Sequence, residues 1–381
     1  MPVNPVLTQP DVPGTPVPGR GGPELSIVVP TFNEAANVQE LVARLDRTLA
    51  GIVWEVLFVD DDSPDGTADA VRTIARRDSR VRCIQRIGRR GLSSACVEGI
   101  LAASAPYLVV MDADLQHEEA LLGEMLRVLK SEPVDLVIGS RYAPGGGVGD
   151  WEKERTRMSR WATALARVVL KRNIADPMSG FFMLKAEVLQ ATVRRLSSIG
   201  FKILLDILVS APGEVRVREL PYHFRERHAG ESKLDSKAMW DYFVLLLDKT
   251  IGRFVPTRFI VFLMVGGVGV FVHLAVLALL YKVLTVDFLP GQTIATFAAM
   301  TFNFAVNNEL TYRDLKLSGW SWLRGWATFV LACSVGALAN VGIAGYLFEQ
   351  QTSWLISAIA GILLGAAWNY GVTSVYTWKA K

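Results

Sequence analysis

Short apolar runs alternate with helix-length amphipathic stretches over the first two thirds of the chain, and the last third is almost continuously apolar. The runs at 25–29, 56–59, 81–85, 107–111 and 136–138 read as strands. They are unbroken rather than alternating, the pattern of parallel strands covered on both faces. Between them, apolar positions at helical spacing predict helices at about 36–49, 68–76, 93–103 and 125–129. Strand–helix alternation of this kind predicts an α/β domain with a mainly parallel central sheet and right-handed crossovers. Beyond Ile251 charges nearly vanish, and four stretches, roughly 259–284, 289–310, 326–348 and 354–378, reach bilayer-spanning length.

Two amphipathic stretches precede the apolar part. In 151–172, Met158, Trp161, Leu165 and Val168 or Val169 recur at helical spacing, with Arg155, Arg160, Arg167, Lys171 and Arg172 around them. That pattern fits a membrane-surface helix and equally a helix packed on the sheet with a solvated basic face. In 239–255, Trp240, Phe243, Val244, Leu247 and Ile251 share a stripe, with Lys249 and Arg253 available to headgroups. Its place directly before the first span favours the interface. Four segments follow: a Pro/Gly-rich tail at 1–23, an α/β domain at 24–235, an interfacial amphipathic helix at 236–257, and an all-α four-span membrane domain at 258–381. The tail lacks an apolar core and is expected to be disordered, not a signal peptide.

Composition removes several classes. A net charge of +3, with no basic stripe interleaved with aromatics, does not suggest nucleic acid. Cys83, Cys96 and Cys333 have neither ligand nor disulfide spacing. No strand ends in a G-x-G-x-x-G or P-loop signature. Around the spans, Lys249, Arg253, Arg258, Arg313, Lys316, Arg324, Lys379 and Lys381 gather on one side, which the positive-inside rule makes cytoplasmic. The α/β domain and both termini are expected there. The membrane half also repeats: Asn303, Val306 and Thr311 align with Asn369, Val372 and Thr377, implying two tandem helical hairpins. Asn303, Asn307, Asn308 and Glu309 are costly in hydrocarbon unless paired.

The candidate chemistry lies at strand ends, where open α/β sheets bind ligands. Asp112 and Asp114 close the run at 107–111, with Gln116 two residues on. Two carboxylates and an amide oxygen are hard ligands for a divalent cation holding phosphates, although solvated turn aspartates look the same. A second acidic strand end stands at Asp60-Asp61-Asp62.

Pro30-Thr31-Phe32-Asn33-Glu34, Asp60-Asp61-Asp62-Ser63-Pro64-Asp65-Gly66-Thr67, Asp112-Ala113-Asp114-Leu115-Gln116 and Gly139-Ser140-Arg141-Tyr142 resemble successive signatures of family 2 glycosyltransferases of the GT-A fold. Asp176 to Phe182, Gly200 to Leu205 and Arg227 to Lys233 are similar to the dolichyl-phosphate mannose synthase branch, in its microbial forms fused to a membrane domain. The membrane half looks like the GtrA-like family, associated with polyprenyl-linked sugar movement or enzyme anchoring.

The resemblance implies Mg²⁺ or Mn²⁺ at Asp112, Asp114 and Gln116, with Asp114 the foremost ligand. It implies nucleotide contacts from Pro30, Glu34, Asp60, Asp61 and Ser63. Cationic charge for two anionic reactants would come from Arg141, Arg227 and Lys233, with Ser179 donating a hydrogen bond beside the acceptor phosphate. Asp114, Arg141 and Arg227 are the expected catalytic residues. The expected reaction is inverting transfer of one sugar, mannose from GDP-mannose, to a polyprenyl monophosphate at the cytoplasmic face of the bilayer. A UDP-sugar such as UDP-glucose is the rival donor, and a lipid-linked sugar flippase with an adaptor domain the rival class. Homo-oligomerisation through the membrane domain stays open.

Overall fold

The computed structural model describes residues 22–147, 163, 165–167, 169–170, 172–197, 200–225, 236–252, 254–351 and 353–379. The chain divides into two compact units, Met1–Lys249 and Thr250–Lys381. The expected tail at 1–23 lies almost wholly outside the described residues, as does most of the basic stretch 151–172.

The first unit is built on strands β1 (Leu25–Thr31), β2 (Trp54–Asp60), β3 (Val81–Gln85), β4 (Tyr107–Val110), β5 (Leu136–Ser140), β6 (Phe182–Lys185) and β7 (Val217–Pro221). They form one sheet in the order β3-β2-β1-β4-β6-β5-β7. The unbroken apolar runs are explained by two separate cores. Ile27, Val29, Phe58 and Val109 enter one core with residues from α1 (Ala35–Thr48), α2 (Thr67–Ala75) and α4 (Leu122–Ser131). Val28, Val59, Leu108 and Val110 enter the other, with α3 (Leu92–Ala102) and the helices Ala186–Thr192 and Ile203–Ser210. Successive side chains of a strand point to opposite faces, so a strand feeding two cores must be apolar at every position. Each fully buried Val, Leu, Ile or Phe contributes roughly 1.5–3 kcal/mol.

The sheet is mainly parallel, as expected, with one exception that matters for the site. β6 runs antiparallel between β4 and β5, with Phe182 opposite both Val110 and Ile138. A strand entering backwards brings its N-terminal approach to the edge where its neighbours end. The loop before Phe182 therefore arrives beside the ends of β4 and β5. Neither β6 nor β7 was expected: β6 is four residues long, too short to show a period.

The helix Ser236–Thr250 closes this unit. Tyr242 and Leu245 pack with Ala166, Met178 and Leu205, while Phe243 and Ile251 remain exposed. Lys249 was expected at the headgroups; it instead turns inward. Its Nζ lies 2.7 Å from Asp206 Oδ1, whose carboxylate is fully buried and also accepts from the Ser197 N–H and hydroxyl. A carboxylate with no water must find a cation, and Lys249 is that cation.

Among the described residues the second unit holds four long helices, Thr257–Ala278, Phe288–Val306, Gly319–Glu349 and Trp354–Tyr376. Consecutive helices pack as two hairpins. Among the described residues one helix, Thr257–Val283, is long and apolar enough to cross a membrane. Both hairpins make the same close approach. A Cβ at Gly269 would strike the Asn303 amide, and one at Gly336 would strike the Asn369 amide. This matches the internal repeat read from the sequence. Of the polar residues singled out in the sequence, Asn307, Asn308 and Glu309 are paired: Asn308 Oδ1 accepts from Trp378 Nε1 (3.0 Å) and Leu317 N (2.9 Å). Asn307 bonds to Thr311 and to the Asn303 carbonyl, and Glu309 pairs with Lys316.

Candidate active site

The ends of β1, β2, β4 and β5 and the entry to β6 share one edge of the sheet. Asp60, fully buried, works first as a turn builder. Its carboxylate accepts from Ser63 N (2.9 Å) and Ser63 Oγ (2.5 Å), and Ser63 Oγ accepts from Asn33 N (3.0 Å). Ser63 thus ties the turn after β2 to the loop after β1. Pro30 is in register with Val59, one residue short of Asp60, and the Glu34 carboxylate accepts from Asn37 Nδ2 at 2.7 Å. Of the five residues expected to hold a nucleotide, these bonds join Asp60 and Ser63 to the loop after β1, and Glu34 reaches the same turn through its backbone N–H, which donates to Thr67 Oγ1 at 3.0 Å.

Asp61 has partners that sequence reading missed. Its Oδ1 accepts from Arg86 Nη1 and its Oδ2 from Gly91 N, both at 2.6 Å. Burial pushes the Asp61 carboxyl above its ordinary value, against the Gly91 and Arg86 bonds that pull it down. Arg86 is itself buried and also reaches Ser94 and Glu98. Nothing marks Arg86 among its basic neighbours in the sequence; only the fold places it under Asp61.

The loop after β4 carries the metal candidates. Asp114 and Gln116 are buried, while the Asp112 side chain is 36% exposed. Leu115 adopts a left-handed conformation (φ 62°), costly for a branched side chain outside glycine, and the Gln116 N–H donates to Asp114 Oδ1 at 3.2 Å. Gln116 Nε2 donates to the Arg225 carbonyl at 3.0 Å, so its amide oxygen is the end that can ligate. Among the described residues no three His, Cys, Asp or Glu side chains converge as a metal site. Two carboxylates and an amide oxygen still fit a hard cation whose remaining ligands are phosphate or water.

The expected phosphate-binding residues divide. Arg141 forms a bidentate pair with the fully buried Asp176, Nε to Oδ2 at 2.7 Å and Nη2 to Oδ1 at 2.9 Å. Asp176 is held in turn by Glu219, which accepts from the backbone N–H of Ala175 and Asp176. Ser179 was expected to donate beside the acceptor. Its hydroxyl instead donates to the Gly139 carbonyl (2.7 Å) and accepts from Phe181 N (3.1 Å), because the antiparallel entry of β6 needs that loop fastened to β5. Arg227 and Lys233 lie outside the described residues. His117, which follows Gln116, was not singled out from the sequence; it is 2% exposed and lies between Asp112 and Tyr222.

Comparison with known proteins gives the family. Residues 26–192 match glycosyl transferase family 2, and residues 261–378 match the GtrA/DPMS transmembrane domain. Dolichol-phosphate mannosyltransferase of Pyrococcus furiosus is 34% identical over 363 residues, 93% of this chain and 99% of that protein. The enzyme of the same name from Saccharomyces cerevisiae is 36% identical over 249 residues, 63% of this chain and 92% of its own length. Among solved structures, glucosyl-3-phosphoglycerate synthase from Mycobacterium tuberculosis with Mg²⁺ and uridine diphosphate superposes with a TM-score of 0.46 at 19% identity, over 60% of this chain and 79% of that one. With a relative matched over nearly its whole length and both domains recognised, the chain belongs to the dolichol-phosphate mannosyltransferase family, with a family 2 glycosyltransferase domain followed by a GtrA/DPMS transmembrane domain.

Proposed function

We propose that this protein transfers mannose from GDP-mannose, with inversion, to a dolichyl-type polyprenyl monophosphate at the cytoplasmic face of the membrane. The observation that carries the reading is the shared edge: Asp60 ends β2 and Asp61 follows it, and Asp112 and Asp114 follow β4 two strands away in the same sheet. A diphosphate spanning that edge can have its nucleoside at one end and its reacting bond at the other. The names and near-complete coverage of the relatives support mannose and a lipid phosphate as substrates.

Asp112, Asp114 and Gln116 would hold Mg²⁺ or Mn²⁺, which when bound neutralises charge developing on the departing diphosphate. Asp61, fastened by Arg86 and Gly91, fixes the floor of the nucleoside pocket. The acceptor needs no general base, because a phosphate monoester with a second pKa of about 6 is largely dianionic near neutral pH. It needs cations, and Arg141, Arg227 and Lys233 supply them. Arg141 meets Asp176 through the Nε and Nη2 side of its fork, which fixes the plane of its guanidinium. The four helices of the second unit act as spans that keep the enzyme at the surface where its acceptor lies, with both termini cytoplasmic.

The test is direct. Membranes containing the protein are incubated with radiolabelled GDP-mannose or UDP-glucose and polyprenyl phosphate, and the lipid is extracted. Label from GDP-mannose in alkali-stable, acid-labile lipid is the expected result. Label only from UDP-glucose would move the donor to the rival sugar, and none from either would overturn the transferase reading.

A further inference from the structure

We propose that His117 is a positioning residue for Asp112, the middle member of a hydrogen-bonded chain from Tyr222 through His117 to the metal-binding carboxylate. The proposal rests on the reading of Asp112 as a metal ligand given above. His117 Nε2 lies 3.2 Å from Asp112 Oδ2 and Nδ1 lies 3.1 Å from the Tyr222 hydroxyl. An ionised carboxylate only accepts, so Nε2 carries the hydrogen toward Asp112. In the neutral ring Nδ1 then accepts from Tyr222, and the hydroxyl at the far end sets the tautomer.

The surroundings leave the ring little freedom. Phe181, Tyr222 and Phe224 pack around it with centroids 5.1, 5.8 and 5.7 Å away. Gly180 lies against the same pair: a Cβ there would fall 3.1 Å from Asp112 Oδ2 and 3.6 Å from His117 Nε2. Asp112, by contrast, is the most exposed of the three metal candidates. A ligand on the open side of a site has rotamers to lose when the cation arrives. Tying one of its oxygens to a buried, immobile imidazole removes part of that loss beforehand. Hydrogen-bond partners of metal ligands act in this way, and their removal typically weakens metal affinity or activity by about 10- to 100-fold.

The experiment titrates Mn²⁺ into the full-length, detergent-solubilised protein and reads free Mn²⁺ by electron paramagnetic resonance, with and without GDP. His117→Phe keeps the aromatic packing and loses both hydrogen bonds, so its Mn²⁺ affinity should fall by about 10- to 100-fold. Tyr222→Phe should lose less, and His117→Gln, whose amide can still donate toward Asp112, should retain more affinity than His117→Phe. In turnover, the apparent KM for Mn²⁺ should rise more than kcat falls. Folded His117→Phe and Tyr222→Phe proteins binding Mn²⁺ within two-fold of the wild type would overturn the positioning role. Should His117→Phe not fold, His117→Leu, which likewise cannot donate toward Asp112, takes its place, and Mn²⁺ affinity within two-fold of the wild type there overturns the role equally. Asp112→Asn separates the two readings: unchanged Mn²⁺ binding there overturns the metal assignment itself. Loss in Asp112→Asn without loss in either phenylalanine variant overturns the positioning role alone.

Discussion

The pairing of Arg141 with Asp176 separates a structural from a chemical role for this arginine, and the separation can be measured. In Arg141→Ala, Asp176 keeps the backbone N–H of residue 141 at 3.2 Å but loses charge-assisted bonds at 2.7 and 2.9 Å. Asp176 is fully buried and the Arg141 side chain is 11% exposed, so water cannot replace the missing cation. Two charge-assisted bonds of roughly 1.5–3 kcal/mol each agree with the roughly 3–5 kcal/mol usual for removing one partner of a buried ion pair. Arg141→Ala should therefore lose about 3–5 kcal/mol of stability in the first unit. Pulse proteolysis of full-length protein across a urea series, following cleavage of the α/β half, reads this loss. The double variant Arg141→Met with Asp176→Leu replaces both charges by apolar groups and should recover most of the stability. It should not recover transfer, which should stay down by about 10²-fold or more if Arg141 also meets substrate phosphate. An unchanged urea midpoint in Arg141→Ala would refute the structural reasoning. Recovery of transfer in the double variant would refute the phosphate role.

Asp114→Ala should abolish transfer while leaving membrane insertion intact, and undiminished turnover in that variant or in excess chelator would sink the metal assignment. The Asp65 carboxylate accepts from Ala35 N and from Thr67 N and Oγ, joining the turn after β2 to the start of α1. Although partial burial works the other way, the Thr67 and Ala35 bonds hold its carboxyl below the ordinary value. Its contribution is then whole above the unfolded pKa of about 4 and fades as pH falls through the lower folded value. Wild-type stability should drop more steeply below that point than stability of Asp65→Asn, and parallel acid profiles would remove the assignment. Lys249→Met removes the ammonium paired with the buried Asp206 and should cost about 3–5 kcal/mol, whereas a headgroup-facing lysine would cost almost nothing on proteolysis in detergent.

The strand ends were legible in advance because their signals are local. An unbroken apolar run followed by acidic and turn residues marks a buried parallel strand and its exit, and β1, β2, β3, β4 and β5 all fall where those runs do. The four long apolar stretches coincide with four helices for the same reason, and the repeat of Asn303 at Asn369 could be read because like residues recur at like spacing. Partnership is a different kind of information. That Arg86 rather than Arg89 or Arg90 lies under Asp61, that Arg141 finds Asp176, and that Lys249 turns in to Asp206 are matters of distance between residues far apart in the chain. The reversed strand β6 adds further partnerships at the active edge. By entering antiparallel it sets Gly180 against Asp112 and His117, fastens Ser179 to Gly139, and packs Phe181 against the histidine ring. A residue's chemistry and its neighbours in sequence are written along one dimension, so they suffice for elements and for which groups could bind metal or phosphate. Whether a charge faces a substrate or another side chain depends on what long-range packing excludes from water, and that is fixed only when the sheet has closed.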